Sequence, residues 1–185
     1  MEIRKYKTSD KSQLQYICKE TAWDSYKSND KKLRSVVIMF NDYFTENESE
    51  NIFVLADDND NAVGYIICST DYEKFIKLNS TIYSKKLLKT CPSQIFFFKL
   101  FLHHFKKIKI IPIHFHIDIL PQYQRQGWGT KLLDALCEHL KSQGYNHLSG
   151  CCINKNSQGY RMYMKYGFKE ICHYTHDVVS ISLDL

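Results

Sequence analysis

Pro121-Gln-Tyr-Gln-Arg-Gln-Gly-Trp-Gly-Thr130 is the stretch from which the rest of the chain is read. In front of it runs Ile111-Pro-Ile-His-Phe-His-Ile-Asp-Ile-Leu120, whose alternation predicts a strand. Pro121 cannot donate a ladder hydrogen bond and should end that strand. Behind the stretch, Leu132, Leu133, Leu136, Cys137 and Leu140 recur at helical spacing, and Gly144 is placed to close the helix. Gly127 and Gly129 permit a tight turn in which backbone N–H groups lie open. Strand, glycine loop and helix in that order suit an anion, because the first-turn amides of a helix have no internal acceptor. A turn with no ligand is the plain alternative.

Neither the Gly-x-Gly-x-x-Gly fingerprint of dinucleotide sites nor the P-loop pattern occurs here. Instead, Gln124-Arg-Gln-Gly127-Trp-Gly129 resembles the acyl-CoA pyrophosphate loop of the GNAT superfamily of N-acetyltransferases, Arg/Gln-x-x-Gly-x-Gly/Ala. Downstream, Asn156-Ser-Gln-Gly-Tyr-Arg-Met-Tyr163-Met-Lys-Tyr-Gly167-Phe168 resembles the second signature of that family, Asn-x-x-Ala-x-x-x-Tyr-x-x-x-Gly-Phe, with Gly159 in place of the alanine. Within the family, the run from His114 to Gly127 looks like a bacterial group related to the acetyltransferase-like domain of O-GlcNAcases.

The resemblance implies one α/β domain over residues 1–185. Its mixed, twisted sheet should have six or seven strands, with helices on both faces and splayed parallel fourth and fifth strands. It also implies acetyl transfer from acetyl-CoA to a primary amine, by direct attack in a complex holding both substrates. The backbone N–H groups of Arg125, Gln126, Gly127, Trp128, Gly129 and Thr130 would then hold the pyrophosphate. Gln124 stands where arginine is more frequent, and Arg125 beside it supplies charge. Ile117 and Ile119 complete the cofactor-binding set from the fourth strand. Asn156 resembles the asparagine that holds the pantetheine or a water, with Asn154 as competitor, and Lys165 would meet the adenine-ribose phosphate. Tyr163 matches the tyrosine that protonates the departing thiolate; its plain alternative is core packing beside Met162 and Tyr166.

Residues that alternate along the fourth strand put His114, His116 and Asp118 on one face and Phe115, Ile117 and Ile119 on the other. Positions i, i+2 and i+4 of a strand extend over about 13 Å, too far for three side chains to reach one ion; two of them with a distant residue could, but no metal is expected. His116 or Asp118 could take a proton from an incoming amine. Equally, the two could form a satisfied hydrogen-bonded pair and nothing more. The family often places a glutamate on this strand, near Phe115 here, so the base is open between them.

The chain of 185 residues carries 25 basic against 20 acidic side chains, a net charge of +5. That mild excess suits an anionic cofactor and does not mark a nucleic-acid binder. No apolar run is long enough for a membrane span, and the N-terminus shows no secretory h-region. Seven cysteines without a Cys-x-x-Cys read as reduced core thiols of a cytoplasmic protein. A monomer or homodimer is expected.

Along the chain, Ile3–Tyr6 reads as the first strand, followed by a helix with Leu14, Ile17 and Cys18 on its apolar face, running raggedly to Trp23. A second helix is predicted over Lys32–Phe44, then a polar loop over Thr45–Glu50. Asn51–Ala56 and Asn61–Cys68 form a hairpin around Asp57–Asp60. Residues 71–110 form a mostly helical insert whose lysines face solvent and whose phenylalanines at 96–105 belong to the core. His147–Ile153, a short helix over Gly159–Tyr166, and a final hairpin of Phe168–Cys172 and Val178–Leu183 complete the order.

Trp23, Tyr26, the insert and Tyr174–Asp177 are candidate walls of the acceptor pocket. They favour a small-molecule amine over a protein amine. An acyl-CoA-binding or protein-interaction module without catalysis is the alternative function.

Overall fold

Strand-forming runs at both ends and in the middle of the chain join into one mixed sheet. The strands are β1 (Glu2–Lys5), β2 (Ile52–Ala56), β3 (Ala62–Ser69), β4 (His114–Ile119), β5 (His147–Asn154), β6 (Lys169–His173) and β7 (Val178–Asp184). Their spatial order is β1-β2-β3-β4-β5-β7-β6 in this computed structural model, which describes residues 1–107 and 113–185. Every neighbouring pair is antiparallel except β4 and β5. This is the α/β architecture expected from the strand, loop and helix order, with seven strands. The expected start of β4 at Ile111, and Lys109 of the insert, lie outside the described residues.

Helices pack on both faces. In chain order they are α1 (Lys11–Glu20), α2 (Asp24–Lys27), α3 (Asp30–Phe40), α4 (Asp42–Asn47), α5 (Tyr72–Leu78), α6 (Ser84–Thr90), α7 (Ile95–Lys107), α8 (Trp128–Ser142) and α9 (Gln158–Tyr166). β4 shows the two layers directly. His116 stacks on Phe40 of α3 at 5.8 Å, whereas Phe115 meets Tyr163 of α9 at 5.4 Å on the opposite face. Strand alternation therefore sorts polar and apolar side chains between two helix layers. No described helix is long and apolar enough to cross a membrane.

Two expectations need correction. The helix predicted over Lys32–Phe44 is two helices, broken at Asn41, and the first starts earlier, where the Asn29 side chain accepts from Lys32 N–H at 3.0 Å. The polar loop predicted at 45–50 is instead the end of α4 and a 3-10 turn over Ser49–Asn51, with Glu48 only 3 % exposed. Its carboxylate accepts from Tyr43 Oη (2.5 Å), Ser69 Oγ (2.6 Å), Thr70 N (2.6 Å) and Thr70 Oγ1 (3.1 Å). A buried charge is tolerated when several donors surround it, and polarity alone did not reveal those donors. Glu48→Gln should cost about 2 kcal/mol of unfolding free energy, because one donor group is then set against others. Urea unfolding checks this: an unchanged midpoint would mean the network contributes nothing.

The insert is helical, as its residues suggest, with a π-helical turn over Asn79–Tyr83 between α5 and α6. Its last helix, α7, presents two apolar faces. Phe98, Leu102 and Phe105 are buried in the core, while Phe97, Leu100 and Phe101 line a cavity and Phe96 is 77 % exposed. The phenylalanines expected in the core are thus divided among core, cavity and solvent.

Candidate active site

The central slot arises where β4 and β5 part. Among the described residues they share one residue pair, His114 with Ser149, backed by Ser149 N–H on Ile113 C=O at 2.9 Å. Beyond it β5 carries a bulge against β7 between Gly150 and Ile153, with Cys152 at φ 56°. A bulge bends its strand, and past it β5 makes no further pair with β4 among the described residues. Ile113 C=O points toward β5, and Leu120 N–H bonds back to Val63 of β3. Backbone direction alternates along a strand, so Phe115 faces β5 within the ladder and, past it, Ile117 and Ile119 aim their backbone N–H groups into the slot.

At the end of β4 the glycine loop opens upward. Arg125 and Gly127 have φ of 60° and 83°. The helical ladder of α8 begins only where Lys131 N–H meets Gly127 C=O at 3.3 Å. The amides of Trp128, Gly129 and Thr130 therefore have no acceptor among the described residues. A Cβ built at Gly127 meets nothing within 4 Å, so the loop face is open. Open amides at the positive end of a helix fit an anionic group such as the pyrophosphate of acetyl-CoA.

The two glycines do different jobs. Gly129 is helical, and a Cβ there would sit 2.6 Å from Met162 Sδ, so its small size lets α9 lie against α8. Gln124 braces the loop by donating from Nε2 to Ile119 C=O at 2.7 Å. Gln126 donates to Gln122 C=O at 3.0 Å, and Arg125 Nε to Gln158 Oε1 at 3.2 Å. Trp128 lies under the Lys131 ammonium, 4.2 Å from it. Lys165 is exposed on α9.

The polar row of β4 divides. His114 is buried, edge-on to Phe75 at 4.4 Å and Phe105 at 4.6 Å. His116 and Asp118 stay together, with Nε2 3.0 Å from Oδ2. Tyr65, paired with Asp118 across β3 and β4, donates its hydroxyl to the same Oδ2 at 2.6 Å. The His116 side chain is 40 % exposed and Asp118 14 %, so the imidazole is the more presented of the two. Burial pulls the imidazole pKa down, but the charge and hydrogen bond of Asp118 outweigh it and raise it above the usual histidine value. Burial, then the Asp118 charge, pushes the Tyr163 phenol well above its ordinary range.

One cavity of about 580 Å³ joins these groups. His116, Asp118 and Ile117 line it from β4, and Tyr163 and Gly159 from α9. The Tyr163 ring packs on Phe115 and Phe168, and its hydroxyl has no hydrogen-bond partner among the described residues. Asn154 lines the cavity whereas Asn156 does not; the Asn154 carboxamide accepts from Asn156 N–H at 2.8 Å. Of the anticipated walls, Trp23, Tyr174, Thr175 and, from the insert, Phe97, Leu100, Phe101 and His104 are present. Tyr26 stands behind Trp23, with its hydroxyl on Gln94 at 2.6 Å.

Sequence reasoning missed Cys151 and Cys152. Both line the cavity, their Sγ atoms 3.6 Å apart and Cys151 Sγ 3.5 Å from the Tyr174 hydroxyl. Read as core thiols, they reach the cavity because the β5 bulge turns two successive residues toward it, for which the sequence carries no signal. His104 belongs to the insert expected as a wall. It lines the cavity and stacks on Tyr174 at 4.4 Å.

The family model described as "Acetyltransferase (GNAT) family" matches residues 15–168. Among solved structures, SsHAT is similar at 22 % identity and a TM-score of 0.84, covering 99 % of this chain and 97 % of its own. The polyamine N-acetyltransferase of Drosophila melanogaster, which forms N-acetylagmatine, aligns at 12 % identity and a TM-score of 0.67, over 100 % and 99 % of the two chains. The PaiA N-acetyltransferase of Thermoplasma acidophilum, in complex with coenzyme A, aligns at 14 % and 0.63, over 100 % and 98 %. At such identities the likeness concerns the fold. No curated protein sequence matches the chain.

Proposed function

We propose, from the premise that this chain belongs to the acetyltransferase (GNAT) family, that it acetylates the primary amine of a small molecule by direct attack within a complex holding both substrates. The enzyme class and the donor, acetyl-CoA, come with the family. One observation carries the finer reading: the His116–Asp118 pair and the Tyr163 hydroxyl line a single cavity at the splayed end of β4 and β5. The named activities of similar structures, on polyamines and agmatine, support a small acceptor. The closer kinship with the bacterial group related to the acetyltransferase-like domain of O-GlcNAcases rests on the run from His114 to Gly127. The seven free cysteines support a cytoplasmic setting.

In this reading acetyl-CoA supplies an activated acyl group, and the protein supplies position and proton traffic. The open amides of Trp128, Gly129 and Thr130 hold its pyrophosphate, with Arg125 adding charge. The slot-facing N–H groups of Ile117 and Ile119 align the pantetheine arm and meet the negative charge that develops on the carbonyl oxygen. Asp118, held by Tyr65, accepts from His116 Nε2 and leaves Nδ1 to take the amine proton. Tyr163 returns a proton to the departing sulfur. Asn154 and Asn156 steady the arm from the β5 turn.

CoA release in the presence of an amine panel tests this directly. Acetyl-CoA binding without release from any amine would replace it with an inactive acyl-CoA-binding module. Failure to bind acetyl-CoA would favour an interaction module. The pH profile tests the base. The kcat/KM should fall as pH drops through the raised His116 pKa, so the acidic limb should lie above about pH 6.5, the unperturbed histidine value. Asp118→Asn removes the groups that raise the pKa and leaves burial, so that limb should move to lower pH. An acidic limb at the same pH in Asp118→Asn and wild type would remove His116 from this role.

A further inference from the structure

The acceptor side of the cavity has a chemistry of its own, set by the insert. Phe97, Leu100 and Phe101 recur at i, i+3 and i+4 on α7 and form one wall. Trp23 and Phe40 form the other, edge-on to α7: Trp23–Phe97 lie 6.1 Å apart and Phe40–Phe101 5.4 Å. The ring of contacts ends on His116, stacked on Phe40. Trp23 is 53 % exposed, Phe97 38 % and Leu100 44 %, so an apolar rim surrounds the mouth.

Charge is scarce inside. Among the described residues lining the cavity, Asp118 is the sole carboxylate, and no lysine or arginine is present. That carboxylate already accepts from Tyr65 and His116. One amine can be served beside it. A second ammonium drawn down between those walls would have no carboxylate opposite it among the described lining residues, and burying an unpaired charge is costly. A sugar lying against Phe97, Leu100 and Phe101 would likewise leave the hydroxyls on that side without partners.

We infer that the acceptor is a hydrophobic primary monoamine, an aryl- or alkylamine whose apolar tail lies between α7 and the Trp23–Phe40 pair. This rests on the acetyltransferase reading of the same cavity. It deepens that reading by naming Phe97, Leu100 and Phe101 as the residues that determine specificity. Aromatic walls suit such a tail through area burial and ring contacts.

Heptylamine and 1,6-diaminohexane have nearly the same length and differ by a terminal methyl against an ammonium. With saturating acetyl-CoA, kcat/KM for heptylamine and 2-phenylethylamine should exceed that for the diamine by about 10²-fold or more. Phe97→Ala, at a half-exposed position that should not disturb folding, should raise the amine KM about tenfold and leave the acetyl-CoA KM unchanged. Leu100→Glu adds a carboxylate at the exposed rim and should shift the ratio toward the diamine. A diamine, glucosamine or lysine peptide used as well as heptylamine, or a Leu100→Glu ratio equal to wild type, would overturn the assignment. Should no amine release CoA, the catalytic reading fails separately. Calorimetric titration of the CoA-loaded protein then decides: heptylamine bound in preference to diaminohexane supports the pocket assignment, and equal or absent binding overturns it.

Discussion

Tyr163→Phe is expected to lower kcat about 10²-fold, the low end of general acid–base contributions. Acetyl-CoA affinity should stay within about twofold, because the hydroxyl matters when charge develops on sulfur and little before then. The site makes the substitution clean. The ring packs between Phe115 and Phe168, contacts that phenylalanine keeps, and the hydroxyl gives up no hydrogen bond within the described residues. Burial and the Asp118 charge hold the phenol above its usual pKa, which keeps it protonated but makes it a weaker acid, so it can give up its proton only as negative charge develops on the sulfur. Steady-state kinetics with an accepted amine, together with calorimetric titration of acetyl-CoA, separates the two effects. Equal turnover by variant and wild type would remove the acid role from Tyr163.

Gly127→Val should weaken acetyl-CoA binding by about 10²-fold, the equivalent of losing one or two charge-assisted hydrogen bonds. At φ 83° a β-branched residue is strained by about 1–2 kcal/mol, so the loop would shift and its amides would lose their aim. The space around a Cβ there is open, so no clash within the protein confuses the result. A valine side chain would project from the loop face that an incoming phosphate must approach. Thermal unfolding first establishes that the variant is folded, and calorimetry then measures affinity. Unchanged affinity in a folded variant would refute the pyrophosphate site.

What could be read from the linear chain was whatever has a local cause. Pro121 ending a strand, Gly127 ahead of the α8 leucines and Gly167 stopping α9 at φ 115° each act within a few residues. The two-residue period of β4 by itself puts Phe115 and His116 on opposite faces. Together with the two signatures, these local causes were enough for the family, the mixed sheet and the parallel β4–β5 pair.

The remainder depended on partners distant in sequence. Glu48 lies in a polar run and is buried because Ser69 and Thr70 come to it from β3 and the turn beyond. His114 and His116 look alike in the chain. Phenylalanines from α4, α5 and α7 enclose the first, while the second meets Phe40 and the cavity. Periodicity made α7 a helix, but only its position over the slot gave it a second apolar face to present. Cys151 and Cys152 reach the cavity through a bulge that exists because β5 pairs with β7 on one side and parts from β4 on the other. Local propensity thus determined the elements and the glycine loop. The cavity, formed by side chains from α3, α7, β4 and β5 among others, was decided by tertiary packing, since no short-range pattern records which faces will meet.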